Sequence, residues 1–223
     1  MQVLYEDNHL IIVAKAPGEI VQGDKTGDTP LSETVKAYLK ERYAKPGNVF
    51  LGVVHRLDRP VSGVVVFART SKALARLGEM FRQRQVRKTY WAVVQQCPDP
   101  PQATLTHWLL RNEQQNKSFV VANGAVRGAQ QAILDYEVLA HSDRYHLVEV
   151  HLHTGRHHQI RCQLAAIGSP IRGDLKYGSP RSNPDGSICL HARSISFEHP
   201  VTHAPLTVEA PIPTEGVWKG FER

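Results

Sequence analysis

Residues 148–168 read VEVHLHTGRHHQIRCQLAAIG, and a change of period inside this stretch decides the kind of fold. Val148, Val150 and Leu152 alternate with Glu149, His151 and His153, the period-2 pattern of a strand with one buried face. After Thr154 and Gly155 the period lengthens, and Ile160, Leu164 and Ile167 recur at helical spacing. A strand therefore runs through a glycine turn into a helix that His157 and His158 are expected to begin. The four histidines also raise the question of a metal. Zinc sites pair histidine with carboxylate or thiolate at recognisable spacing, and H-E-x-x-H is missing, so no metal is expected.

Short Val/Ile/aromatic runs predict strands at 10–14, 64–68, 89–94, 103–110, 117–122, 130–140, 145–152, 188–197 and 206–210. Two more helices are expected. One follows Thr29 as cap with Pro30 at the first helical position, and Leu31, Val35 and Leu39 share a face. The other follows Ser71 as cap, with Leu74, Leu77 and Phe81 in register. Pro and Gly cluster at 98–101 and 178–186, which predicts exposed loops. The fold class is α+β: a large, mainly antiparallel mixed sheet flanked by a few helices and loops, in a single domain over residues 1–223.

With 223 residues, 41% of them hydrophobic, the chain can bury a real core. No run approaches the roughly 20 apolar residues of a membrane helix. The N-terminal stretch lacks a basic start and a long apolar run, so no secretory leader is expected. Cys97, Cys162 and Cys189 are odd in number and widely spaced, which points to a reducing, cytoplasmic setting. Lys and Arg outnumber Asp and Glu by 27 to 21, a net +6 that favours a polyanionic partner.

The stretch GVVHRLDRPVSGVVVFART, 52–70, sets Asp58 between Arg56 and Arg59 at the mouth of a very apolar strand. A carboxylate there can act as nucleophile or general base if a cation keeps it ionised. It can equally stabilise a turn. FRQRQVRKTY, 81–90, gathers Arg82, Arg84, Arg87 and Lys88 ahead of Tyr90. These cations suit RNA phosphates, or simply a solvated helix C-terminus.

HRLDRPVSG (55–63), KTYWAVV (88–94), TGRHHQIRCQLAAIGSPIRGDLKYG (154–178) and LHARSISFEHP (190–200) resemble, in order, the motifs of the RluA-like RNA pseudouridine synthases, and YEDNHLIIVAKAPG (5–18) resembles the start of that family's catalytic domain. The resemblance implies the pseudouridine synthase fold and an isomerase that converts uridine in tRNA or rRNA to pseudouridine without a cofactor. In that chemistry the N-glycosidic bond breaks and C5 of the uracil is rejoined to the ribose. Asp58 matches the catalytic aspartate, which attacks C1′ or deprotonates C2′, the two remaining open. Tyr90 matches the active-site tyrosine, and Arg161 the basic residue that pairs with the aspartate.

Arg56 matches an arginine that in some relatives enters the RNA where the target base leaves the stack, and its other reading is support of the Asp58 loop. With Arg59, Arg84, Arg87 and Lys88 it makes up the expected RNA contacts. Asp174 is expected to organise a loop, and His55 and His191 to give support. The sequence departs from the family pattern at Val61, His157 and Gln163, which bears on substrate contacts. An S4 RNA-binding domain is not expected, and the protein is expected to be a cytoplasmic monomer. The competing readings are an RNA-binding protein without catalysis and a metal-dependent hydrolase built on the histidines.

Overall fold

The computed structural model describes residues 1–221. Among them, eleven strands and three α-helices give the expected α+β class. The chain divides into two compact units, Met1–Arg87 with Ala192–Pro211, and Lys88–His191 with the segment from Ile212 onward. No helix among the described residues is long and apolar enough to cross a membrane.

In the first unit β1 (Gln2–Glu6), β2 (Leu10–Lys15) and β4 (Ser62–Ala68) lie side by side, β3 (Gly52–Val53) extends the edge of β4, and β10 (Leu190–Glu198) pairs with β11 (Pro205–Glu209). All of these pairings are antiparallel. LIIV at 10–13 and VVVFA at 64–68 lie in register and are almost wholly buried. Continuous apolar runs of this kind belong to strands covered on both faces. One face packs Leu10, Ile12, Val64, Val66 and Ala68 against Ala73 and Leu77 of α2 (Ser71–Arg82) and against Ile195, Phe197 and Val208. Each such fully buried aliphatic side chain contributes about 1.5–3 kcal/mol. Gly63 is required where it stands: φ is +119°, and a Cβ would sit 2.3 Å from the Ala192 carbonyl oxygen.

The second unit is an antiparallel sheet in the order β5 (Arg87–Val94), β9 (His146–Leu152), β8 (Gln130–His141), β6 (Gln102–Asn112) and β7 (Lys117–Val121). The period-2 pattern of β9 buries Val148 and Val150 and half-buries Leu152, while Leu147 is buried on the opposite face. A short turn then leads to α3 (Gln159–Ala166), followed by a 3-10 turn at Leu175–Tyr177.

All three helix starts differ from expectation. In α1 (Leu31–Arg42) Pro30, not Thr29, is the cap residue and gives no side-chain bond. The first free amides are satisfied by tertiary contacts instead: Leu31 N–H donates to Ile20 O at 2.7 Å and Ser32 N–H to Val21 O at 3.2 Å. In α2 the cap is Thr70, whose hydroxyl oxygen accepts from Ala73 N–H at 3.2 Å, and Ser71 is the first helical residue. In α3 the helix begins only at Gln159, because His158 is held in the left-handed region at φ 53°.

Candidate active site

In the first unit, Asp58 lies in the loop 54–61 between β3 and β4. Leu57 is buried, Arg56 and Arg59 are exposed, and Asp58 is half-buried between them. A turn closes the loop, Val61 N–H donating to Asp58 O at 3.0 Å. Beneath it sits Lys15, 2% exposed, whose ammonium donates to Arg59 O at 3.1 Å, Val61 O at 2.5 Å and Ala16 O at 3.0 Å. Burial pushes the Lys15 pKa down to about 8, with the nearby Glu19 and Asp58 opposing that shift. One buried cation thus fixes the backbone on the far side of Asp58. On the near side His55 accepts the Val66 N–H at its Nε2 (3.0 Å) and stacks on Phe81, ring centres 5.0 Å apart.

Arg59 is already engaged. Its Nη2 pairs with the Asp28 carboxylate and donates to Thr26 Oγ1 at 3.0 Å, tying the 24–28 loop to the Asp58 turn. Arg84, in a left-handed turn at φ 60° just past α2, and Arg87 are both exposed, which leaves them suited to phosphate.

In the second unit, Tyr90 is a buried residue of β5 opposite Val150 of β9, on the same face as Ala92 and Val94. Trp91 on the other face donates its indole N–H to Glu149 at 2.8 Å. Lys88 reaches to the Thr154–Gly155 turn, its ammonium 3.4 Å from where a Gly155 Cβ would stand, and burial lowers its pKa.

The same turn sets Arg161. Thr154 Oγ1 accepts from Ile133 N–H at 2.9 Å and donates to Gln159 Oε1 at 2.7 Å, and Gln159 Oε1 also accepts from Arg156 N–H at 3.0 Å. These bonds stitch the start of α3 to β8 and turn Arg161, 5% exposed, into the interior. There its guanidinium takes Asp174 in a fork, Nε to Oδ2 at 2.6 Å and Nη2 to Oδ1 at 2.9 Å, and lies 5.1 Å from the centre of the Tyr177 ring. Bidentate charge-assisted bonds are among the strongest a protein makes.

Tyr177 is held in turn. Its oxygen accepts from Ser118 N–H at 2.8 Å, and its O–H lies 3.0 Å from His158 Nδ1. Burial pushes the Tyr177 hydroxyl up to about 12. Burial first, then the charge of Arg161, depresses His158 to about 2. His158 is therefore a neutral imidazole, its Nδ1 within hydrogen-bond distance of the Tyr177 hydroxyl. The left-handed backbone of His158, of order 1 kcal/mol or more in cost, is what aims that ring.

Of the four histidines of the opening stretch, His151 and His153 meet separate carboxylates, while His157 and His158 stack with ring centres 3.8 Å apart. His151 Nε2 meets Glu149 at 3.0 Å, His153 Nε2 meets Asp135 at 2.6 Å, His157 Nε2 meets Asn116 at 3.1 Å, and His158 belongs to Tyr177. Asp174, expected to organise a loop, pairs with Arg161, and its backbone carbonyl accepts from Tyr177 N–H at 3.1 Å and Ser179 N–H at 3.0 Å. His191 is buried and sets its ring edge-on to Trp218. Sequence reasoning missed Lys15, Gln159 and Tyr177. Lys15 carried a signal as a lysine ending the run LIIVA, and Gln159 and Tyr177 lie inside the motif at 154–178.

Residues 9–166 match the family described as RNA pseudouridylate synthase. An uncharacterized RNA pseudouridine synthase of Chlorobaculum parvum is 34% identical over 96% of this chain and 71% of its own. A ribosomal large subunit pseudouridine synthase C of Vibrio cholerae is 33% identical over 94% of this chain and 65% of its own. Among solved structures, human RNA pseudouridylate synthase domain containing 4 superposes with a TM-score of 0.80 at 25% identity, covering 95% of this chain and 88% of that one.

Proposed function

This chain belongs to the RNA pseudouridylate synthase family and is an isomerase, and from that premise we propose that it converts one or more uridines in tRNA or ribosomal RNA to pseudouridine through Asp58. The N1–C1′ bond of the uridine breaks, the uracil turns, and a C5–C1′ bond forms. C5 gives up its proton and N1 takes one, so the reaction balances without oxidant, reductant or external cofactor. Asp58 acts as an anion, attacking C1′ or removing the C2′ proton. Tyr90 supplies a ring for the uracil to stack on, and Arg161 supplies positive charge. Arg56, Arg84, Arg87 and Lys88 contact the RNA, while Arg59, expected from the sequence to do the same, is held by Asp28 and ties down the Asp58 turn; extrusion of the target base costs a few kcal/mol that such contacts offset. Both units form one catalytic domain, acting as a monomer in the cytoplasm.

One observation carries the reading. Asp58 is a half-buried carboxylate whose turn is anchored by a buried lysine, the arrangement a reactive group needs and a surface turn does not. Asp58→Asn tests it. The variant should bind RNA with the wild-type affinity and form no pseudouridine, since an amide is neither anionic nucleophile nor base. Turnover near wild type would overturn the assignment. Pseudouridine mapping across total RNA, with and without the gene, would name the uridine.

A further inference from the structure

In the second unit β5 and β9 pair so that Val94 lies opposite His146, and β8 and β9 form a hairpin whose last pair is His141 with His146. Cys97 follows three residues beyond the end of β5. The two antiparallel ladders therefore deliver three side chains to one end of this sheet: a thiol from the β5–β6 connection and two imidazoles from the neck of the β8–β9 hairpin. The sulfur and one nitrogen of each ring all lie within 4.8 Å of one another. Among the described residues no other three His, Cys, Asp or Glu side chains gather so closely.

The two rings are edge-on, centres 4.9 Å apart, with His141 Nδ1 and His146 Nδ1 separated by 2.7 Å. At that distance one nitrogen gives a proton and the other a lone pair, so the rings cannot both be cations. Neutral imidazole beside an accessible thiol is the state that a borderline-soft metal ion requires.

We propose that Cys97, His141 and His146 bind a divalent transition metal of the Zn2+ class. With Zn–S of about 2.3 Å and Zn–N of about 2.0–2.1 Å, tetrahedral donors stand about 3.3–3.6 Å apart. The three side chains reach that spacing by rotation about χ1 and χ2, which their position at strand ends allows. The Cys97 thiol gives its proton to solvent as the S–Zn bond forms, and the rings bind as neutral ligands, so one proton leaves per ion. Water fills the fourth position. The ion staples the β5–β6 connection to the β8–β9 hairpin. The site is independent of the reading of Asp58, Tyr90 and Arg161.

Cobalt(II) titrated into the reduced, chelator-treated full chain tests this. One equivalent should bind, give a thiolate-to-cobalt charge-transfer band and be displaced by Zn2+. Cys97→Ser should remove the band. Cys162 and Cys189 are no substitute thiolates, because burial pushes both up to about 11. His141→Gln and His146→Gln should each weaken Zn2+ binding about tenfold or more. Zn2+ should raise the melting temperature of the wild type and leave that of Cys97→Ser unchanged. A wild type with no charge-transfer band, or a band that persists in Cys97→Ser, overturns the proposal.

Discussion

Arg161 and Asp174 form a buried, bidentate ion pair, and the two residues are 6% and 1% exposed in their side chains. Arg161 is thus held by a carboxylate of its own unit. Breaking a buried pair by neutralising one partner leaves the other charge uncompensated, at about 3–5 kcal/mol. Asp174→Asn should therefore lower the free energy of unfolding by that amount, seen as a lower denaturation midpoint with an unchanged m-value. Turnover should fall while a measurable fraction survives, since Asp174 positions Arg161 and is assigned no step in the reaction. A loss of stability under about 1 kcal/mol would mean that the pair is not what holds Arg161.

The His158 site predicts a pH dependence. The folded-state pKa of His158 lies near 2, far below the ordinary value near 6.5. The unfolded chain therefore binds a proton that the folded chain refuses. The stabilisation is complete above about pH 6.5 and is lost as pH falls below it, at up to about 1.4 kcal/mol per pH unit. His158→Asn tolerates the left-handed backbone and cannot titrate. Denaturation across pH 7 to 4 should show the wild type losing its margin over His158→Asn. Parallel curves for the two proteins would refute the assignment.

Lys15 predicts a split between binding and turnover. Its ammonium serves three carbonyl oxygens around the Asp58 turn, and each buried acceptor left unsatisfied costs about 1–3 kcal/mol. Lys15→Met should destabilise the fold by about 2 kcal/mol or more, in part offset by removal of the buried charge. At temperatures where the variant stays folded it should bind RNA normally and turn over at least tenfold more slowly, because the Asp58 backbone is no longer held. Equal loss of binding and turnover would assign Lys15 to RNA contact instead.

How far these features could be read from the sequence depended on whether their cause was local. All nine expected strands exist, since their pattern is the burial pattern itself. β1 escaped because a bulge between Val3 and Tyr5 breaks its alternation, and β3 because two residues carry no period. The α1 start slipped because the carbonyls of Ile20 and Val21 take its first amides, the α2 start because Thr70 supplies the cap hydroxyl one residue ahead of Ser71, and the α3 start because His158, its ring against the Tyr177 hydroxyl, holds a left-handed backbone. Asp58, Tyr90 and Arg161 are singled out only by resemblance to a family, because such chemistry leaves no periodic trace. Arg161 and Asp174 stand thirteen residues apart, and left-handed glycines at 168 and 173 reverse the chain between them. Neither the spacing nor the composition announces that return.

The basic residues divide into two kinds, and salt dependence separates them. Arg59 spends its charge on Asp28, and that arginine in turn holds the Asp28 carboxyl below the usual range. Arg84 and Arg87 are exposed beyond α2. Each phosphate contact contributes about 0.7–0.9 to the slope of log K against log salt. Arg84→Ala and Arg87→Ala should each reduce the slope by roughly that amount and weaken RNA binding alike for all sequences. Arg59→Ala should leave the slope within about 0.3 of wild type, with its effect appearing as slower turnover because the turn bearing Asp58 loses its tie to the 24–28 loop. Fluorescence titration with a tRNA or rRNA stem-loop between low and physiological salt makes the comparison. A full unit lost from the slope in Arg59→Ala would show that RNA displaces Asp28 and takes the arginine for itself.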